Sequence, residues 1–158
     1  SILVFNEDKK MLKQNWISST YTDLNLSIDS PDALYRSPDS TINKLTFISS
    51  NKNLEINLIT KPIDENSDLS NELINDFKER NFINVITKNE DFQTLDGDKG
   101  VKIFGSFDDQ NVNRKKDYST ILFVVNKLSI KLEIIFERGN ANLQKIVDRV
   151  INSLKFNK

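Results

Sequence analysis

The segment LDGDKGVKIFGSF, residues 95–107, contains the residues whose types and spacing come closest to a site for chemistry. Asp96 and Asp98 place two carboxylates beside two glycines and a lysine, which is the composition of some calcium loops and phosphate loops. An EF-hand loop needs oxygen ligands at positions 1, 3 and 5, glycine at position 6 and glutamate at position 12. Counted from Asp96, the last three of these positions hold a glycine, a valine and a phenylalanine, so the EF-hand pattern fails.

The same segment does not fit a phosphate loop, because that loop needs Gly-Lys-Ser/Thr at the start of a helix, and Gly100 precedes a strand-like alternation. Asp-Gly before an alternating strand is typical of a hairpin turn, since glycine tolerates a positive φ. We therefore predict that Asp96–Gly100 is a structural turn, with Gly97 at positive φ and no specific calcium site. A weak surface cation site at Asp96 and Asp98 is the alternative.

Composition excludes most catalytic chemistries. The 158 residues contain neither Cys nor His, which removes thiol nucleophiles, zinc and iron–sulfur sites and every triad with an imidazole base. With 22 basic and 23 acidic residues, the net charge of −1 gives no general attraction for nucleic acid or an anionic membrane. We predict a protein that is not an enzyme, needs no cofactor and binds no nucleic acid.

The remaining residue types allow two catalytic alternatives. Ser49-Ser50-Asn51-Lys52 matches the S-x-x-K pattern of serine acyl-enzymes, which sits at a helix start, whereas here it falls in a predicted hairpin turn. Pairs of carboxylates also support glycoside hydrolysis when two acids flank one cleft. The sequence does not place any two acids around one cleft, so a carboxylate-based hydrolase stays an alternative.

A basic cluster, Arg114, Lys115 and Lys116, lies between two predicted strands. A solvated tip is one interpretation, and a docking point for an acidic partner or a phosphate is the other. Because no aromatic residue interrupts the cluster, single-stranded nucleic acid is not the expected partner.

Three aromatic residues are further candidates for binding a partner. Trp16 and Tyr21 lie near the start of the chain, and Tyr35 lies in a proline-containing loop. Trp and Tyr are frequent in binding sites, so these side chains are candidates for lining a groove. Half-buried strand positions are the commoner environment for such residues, and both interpretations stay open.

Alternating apolar residues predict strands, and turn residues separate them. The predicted strands are, in chain order, one or two within 16–29, then 45–49, 54–58, 82–88, 92–95, 101–107, 119–125 and 128–136. Ser119–Val125 is apolar on both faces, which predicts an interior strand covered on both sides.

Two helices are predicted from a period of three to four residues. The first, residues 68–81, repeats Leu69, Leu73 and Phe77, with Ile74 widening the apolar stripe. The second, residues 141–155, has the cleaner stripe, formed by Leu143, Ile146, Val147, Val150, Ile151 and Leu154. Such a stripe predicts packing against a sheet.

The order of strands, helix, meander and helix indicates an α+β domain with an antiparallel sheet of about six to seven strands and helices packed on it. We expect residues 16–158 to form a single domain and residues 1–15 to be a leader or tether. No apolar run approaches membrane length, so the chain is expected to be soluble and without a transmembrane segment.

Several segments together resemble one family. They are YTDLNLSIDSPDAL, LSNELINDFKERNF, TLDGDKGVKIFGSF, YSTILFVVNKLSIKLEIIF and LQKIVDRVINSLKF. Over residues 16–156 the chain resembles the PsbP/Mog-like family, and the resemblance implies an α-β-α sandwich. That family includes extrinsic photosystem subunits, Ran-binding proteins, bacterial lipoproteins and chaperones for secreted effectors, so it also implies a binding or assembly factor.

The leading functional hypothesis is a non-catalytic binding or assembly module whose partner is another protein. A chaperone that shelters an apolar segment of a partner is the first alternative, and the carboxylate-based hydrolase is the second. The compartment is unknown, but an exported or periplasmic, lipoprotein-like location is favoured over a cytoplasmic one. Since residue 1 is Ser, we expect the native start, with a possible lipid tether, to lie upstream.

Overall fold

The computed structural model describes residues 2–64 and 66–158, with side chains from residue 7 onward. Between β1 and β2 lies a short 3-10 helix, Thr22–Leu24. The helices and strands are, in chain order, α1 (Ile2–Lys13), β1 (Trp16–Tyr21), β2 (Leu26–Pro31), β3 (Tyr35–Arg36), β4 (Lys44–Ile48), β5 (Leu54–Pro62), α2 (Leu69–Glu79), β6 (Phe82–Gln93), β7 (Lys99–Asp109), β8 (Arg114–Val125), β9 (Leu128–Glu137), α3 (Ala141–Asn152) and β10 (Lys155–Phe156).

The main sheet has seven strands in the order β3-β4-β5-β9-β8-β7-β6, and every pairing in it is antiparallel. A second sheet has three strands in the order β1-β2-β10. The α+β class and the antiparallel sheet are confirmed. Among the described helices, none is long and apolar enough to cross a membrane.

The predicted interior strand is confirmed, since β8 lies between β9 and β7. Residues 119–123 are buried on both faces. The prediction was wrong for the last two residues, because Val124 and Val125 are 54% and 40% exposed. They lie at the end of the strand, outside both hydrophobic clusters.

Two hydrophobic clusters lie on opposite faces of the main sheet. The larger one joins α1, α3 and the small sheet to one face. The smaller one joins Leu73 and Phe77 of α2 to Phe82, Phe107 and Tyr118 on the other face. Because helices cover both faces, the predicted α-β-α sandwich is the observed architecture.

The two predicted helices form close to their predicted bounds. Asp68 caps α2, since its carboxylate accepts a hydrogen bond from the Asn71 amide at 3.2 Å. Asn140 caps α3 in the same way, accepting from the Leu143 amide at 3.1 Å. Ile74, predicted to widen the stripe of α2, is 41% exposed because α2 contacts the sheet along a narrower face.

The segment predicted to be a leader or tether contains α1, which packs against α3. Met11 is 6% exposed and belongs to the larger hydrophobic cluster. Asp8 is 1% exposed, and its carboxylate accepts hydrogen bonds from Asn51 at 2.8 Å and from the α3 cap Asn140 at 2.9 Å. Residues 7–13 are therefore packed on the domain, and a tethering role for residues 1–15 stays a prediction.

The placement of α3 gives a direct stability prediction. Val147 and Ile151 are 0% and 4% exposed, as their positions in the stripe predict. Ile151→Ala is expected to lower the free energy of unfolding by about 3 kcal/mol, because it removes buried methylenes and leaves a cavity. The exposed Lys145→Ala on the same helix is the control, with little expected change. Equal denaturation midpoints for Ile151→Ala and the wild type would contradict this placement.

Candidate functional site

The Asp96–Gly100 segment is part of the β6–β7 connection. The Gly97 amide donates to the Thr94 carbonyl at 3.0 Å, and Gly97 has φ of 93°, as predicted. The Asp98 carboxylate accepts from the Thr94 hydroxyl at 3.2 Å and lies 3.4 Å from the Lys158 ammonium. Within the described residues no group of three metal-ligating side chains is found. The turn geometry thus accounts for the glycine, and the lack of a specific calcium site stays a prediction.

Calcium titration tests this turn. We expect calorimetry to show no micromolar binding, because Asp98 already has hydrogen-bonding partners and Asp96 is exposed. Gly97→Ala is expected to lower the free energy of unfolding by about 1 kcal/mol, since φ of 93° strains a residue with a β-carbon. Micromolar calcium binding that Asp96→Asn abolishes would overturn the structural interpretation.

A buried ion pair lies beneath the C-terminal end of α2. Glu133 is 0% exposed, and its two carboxylate oxygens lie 3.0 and 3.1 Å from Nη1 of Arg80. The Asn57 amide also donates to Glu133, at 2.9 Å. Burial acts to lower the pKa of Arg80, but Glu133 and Asp76 together hold it above its usual value. Because both Glu133 oxygens are engaged, this acid is a structural partner of Arg80.

A cavity of about 240 Å³, named here the α2 cavity, lies between α2 and the main sheet. The sheet provides one wall and helix α2 with its C-cap Arg80 the other. The cavity is lined by Lys44, Ile59, Lys61, Leu69, Glu72, Leu73, Asp76, Arg80, Ile103, Thr120, Leu122, Ser129 and Lys131. No local sequence pattern indicates this cavity, because its walls come from five strands and one helix.

The sequence suggested that the basic cluster is a solvated tip, but in the structure it forms the start of a strand. Pairing of Asp109 with Arg114 and of Asp108 with Lys115 extends the hairpin, so the cluster opens β8. Arg114 and Lys115 are exposed, but Lys116 is only 7% exposed. Burial, together with Arg114, lowers the pKa of Lys116. Lys116 therefore faces inward and is a poor candidate for docking, whereas the other two remain accessible.

A wide, open groove of about 620 Å³, named here the Tyr21 groove, lies between the end of β1 and the β3–β4 connection. Tyr21 is half-buried, and burial raises its pKa while nearby Arg36 acts to lower it. Ile42 is 89% exposed at this groove. The other lining residues are Thr20, Thr22, Asp23, Leu24, Ser40, Thr41, Asn43, Leu45, Leu58 and Thr60.

Of the three predicted aromatic residues, Tyr21 alone lines this groove. Trp16 is half-buried elsewhere, because its indole donates to the Leu12 carbonyl at 2.9 Å and the Arg149 guanidinium lies 3.9 Å from its ring centroid. Tyr35 is 43% exposed on the two-residue edge strand β3. The structure therefore does not bring the three rings together.

Sequence reasoning missed Arg36 and Ile42, which lie with Tyr21 in the groove. The available signal was an isolated isoleucine within the polar run SPDSTINK, next to a loop that carries an arginine. Single exposed apolar residues are common on protein surfaces, so it is the position of Ile42 at the groove, beside Tyr21 and Arg36, that makes it a candidate contact residue.

Two solved structures share this architecture. One is the solution structure of cyanobacterial PsbP (CyanoP) from Synechocystis sp. PCC 6803. The superposition covers 90% of this chain and 92% of the PsbP chain, with a TM-score of 0.59 and 9% sequence identity. The other is the crystal structure of the Saccharomyces cerevisiae Ran-binding protein Mog1p. The superposition covers 91% of this chain and 96% of the Mog1p chain, with a TM-score of 0.60 and 10% sequence identity. The chain has the PsbP/Mog-like fold.

No protein-family model matches the sequence, and no curated protein sequence matches it either. At 9–10% identity, the structural similarity shows the fold alone. Within this PsbP/Mog-like fold, the α2 cavity and the Tyr21 groove are candidate sites that rest on this chain's own residues.

Proposed function

We propose that the protein is a non-catalytic binding module that docks onto another protein through the Tyr21 groove. The observation that carries the proposal is Ile42, a large apolar side chain that is 89% exposed beside Tyr21 and Arg36. Tyr and Arg are enriched among the residues that dominate binding energy at protein interfaces. Water contact with Ile42 is unfavourable, and a partner would remove it.

The charge of the groove indicates what the partner presents. Arg36 is exposed and takes part in none of the ion pairs formed by described side chains. An exposed arginine binds a carboxylate well, because its planar guanidinium group donates two parallel hydrogen bonds to the two carboxylate oxygens. The fitting partner therefore presents an apolar side chain to Ile42 and an acidic side chain to Arg36.

A protein partner is also consistent with the fold, since Mog1p is a Ran-binding protein. The groove mixes apolar residues with polar ones such as Thr20 and Asp23, which suits docking better than sheltering a continuous apolar segment. The acids around Arg80 are held in ion pairs and hydrogen bonds, which favours binding over carboxylate catalysis.

The proposal includes an exported or periplasmic location. Its support is the lack of Cys, which avoids stray disulfides in an oxidising compartment. Fractionation of the native cell, followed by detection of the protein in each fraction, is the test. Recovery in the cytoplasmic fraction alone would contradict this part of the proposal.

The docking surface is tested with charge-introducing variants. Ile42→Asp and Arg36→Glu are expected to weaken partner binding about thirtyfold or more. The first places a negative charge against an apolar side chain of the partner, and the second places a negative charge against its acidic side chain. Val112→Asp is the matched control, since Val112 is an exposed valine at 55% outside the groove. Proteins captured by the wild type and lost with Ile42→Asp are then purified, and their affinities are measured by calorimetry.

The expected result is a partner whose affinity falls with both groove variants and stays within about twofold with Val112→Asp. Circular dichroism checks that each variant is folded. Equal loss with Ile42→Asp and Val112→Asp, or no loss with either, would contradict docking through the groove.

A further inference from the structure

The α2 cavity shares no lining residue with the Tyr21 groove, so its role is independent of protein docking. On the wall formed by the sheet, the pairing of the strands determines which lining residues are neighbours. Lys44, Ile59, Lys131 and Leu122 are successive neighbours across four strands and form one row. Thr120 is beside Ile103 in the next row, since these two residues pair across β7 and β8. Apolar and polar side chains therefore alternate on the same wall.

Thr120 marks the deep side of the cavity. It is 0% exposed, lines the cavity, and its hydroxyl has no hydrogen-bonding partner among the described atoms. A buried hydroxyl without a partner is unfavourable, and such groups are rare in folded proteins. Ser129, also buried and lining the cavity, provides a second hydroxyl. A bound polar group would satisfy Thr120.

The charged residues at the cavity favour an anion. Lys44 and Lys131 form no ion pair with described side chains, whereas Lys61 is paired with Glu72 at 3.5 Å. Arg80 is shared by two acids, since its Nη1 lies 3.0 Å from both Asp76, which lines the cavity, and Glu133, which is opposite Thr120. Four cationic side chains line the cavity against Glu72, Asp76 and the adjacent Glu133, so the excess charge is positive and belongs to the lysines without a described ion pair.

Thr120 and Lys131 are close enough to act on one group. Lys131 pairs with Leu122, so it is a diagonal neighbour of Thr120 on the same face, at a Cβ separation of about 7 Å. A lysine side chain spans that distance. A carboxylate placed between them would accept from the Thr120 hydroxyl with one oxygen and from the Lys131 ammonium with the other.

We propose that the α2 cavity binds a small monocarboxylate with an apolar body. The apolar body packs against Ile59, Leu73, Ile103 and Leu122. Size supports this class, because a cavity of about 150 Å³ holds benzene, and in proportion one of about 240 Å³ holds about ten non-hydrogen atoms. Medium-chain fatty acids and aryl carboxylates have this size.

Octanoate is the probe, and 1-octanol and octylamine are its neutral and cationic controls. Binding is followed by amide chemical shifts and calorimetry up to about 10 mM, because ligands of this size commonly bind with millimolar affinity. We expect saturable shifts at residues of the α2 cavity with octanoate, and at least about fivefold weaker binding of both controls.

Two variants and a control locate the carboxylate. Thr120→Val keeps the shape and removes the hydroxyl, so it is expected to weaken octanoate binding about fivefold while leaving the melting temperature unchanged or higher. Lys131→Met is expected to weaken binding by a similar factor. Lys127→Met, an exposed lysine outside the cavity, leaves binding unchanged.

Absence of shifts up to about 10 mM overturns the proposal, since millimolar affinity is then excluded. Equal binding of 1-octanol overturns the anion site, and so does unchanged octanoate binding by folded Thr120→Val. None of these outcomes depends on the Tyr21 groove, so failure here is distinguishable from failure of protein docking.

Discussion

Replacing Arg80 with methionine is expected to lower the free energy of unfolding by about 3–5 kcal/mol, because it leaves the buried Glu133 carboxylate without its cation. Glu133 is 0% exposed and lies 3.0 Å from Arg80 Nη1. The substitution also removes the guanidinium from its position 4.8 Å from the Phe82 ring centroid. Urea denaturation monitored by circular dichroism measures the loss.

The double variant Arg80→Met/Glu133→Met is the control for this ion pair. Replacing a whole buried pair by apolar residues of similar volume is often neutral, so the double variant is expected to regain more than half of the loss. The Asn57 amide, which loses Glu133 as an acceptor in that variant, also donates to Glu55 at 3.0 Å in the native structure and so has a second acceptor. A single variant as stable as the wild type would show that Glu133 does not depend on Arg80.

Gly105→Ala is the second substitution with a large expected effect. A β-carbon at Gly105 would lie 1.8 Å from the Ile86 carbonyl oxygen, which no real contact permits. The β6–β7 pairing is already irregular between Ile83 and Ile86, and the Tyr118 hydroxyl donates to the same Ile86 carbonyl at 3.1 Å. The strands must therefore separate, at a cost of about 3 kcal/mol or more.

Gly139→Ala is the matched control for this close approach. Apart from Gly139 itself and its two chain neighbours, no described heavy atom lies within 4 Å of the position of a β-carbon there, although φ of Gly139 is 75°. Its expected cost is only about 1 kcal/mol, from backbone strain alone. Equal thermal stability of the two variants would mean that β6 can move away from residue 105 at Ile86 with little loss of stability.

The elements of this fold were predictable because their signals are local. The stripe of α3 repeats with the period of a helix, and its central residues Val147 and Ile151 are buried as predicted. The two apolar faces of Ser119–Phe123 likewise predicted an interior strand. Periodicity reports which face is buried, and it needs no knowledge of the neighbouring element.

The features that were missed depend on contacts between distant parts of the chain. Arg80 and Glu133 are 53 residues apart, and neither neighbourhood indicates the other. Strand β10 has only two residues, and its pairing with β2 is set by where α3 ends. Both interpretations of the basic cluster, a solvated tip and a docking point, required Lys116 to be exposed, yet extension of the β7–β8 hairpin buries it.

The candidate site was only partly predictable for the same reason. Tyr21 was identified by residue type, but Arg36 and Ile42 join it because the β3–β4 connection packs near the end of β1. Trp16 carried the same residue-type signal and is instead held by Leu12 and Arg149. Residue type alone does not separate a binding residue from one that supports the fold.

Site-specific photo-crosslinking is the most direct test of protein docking through the Tyr21 groove. A photoreactive phenylalanine analogue replaces Ile42 in one sample and Val112 in another, since both side chains are exposed. After irradiation in native extract, position 42 is expected to give a discrete adduct with one protein that position 112 does not give. The same adducts from both positions, or none from position 42, would contradict docking through this groove.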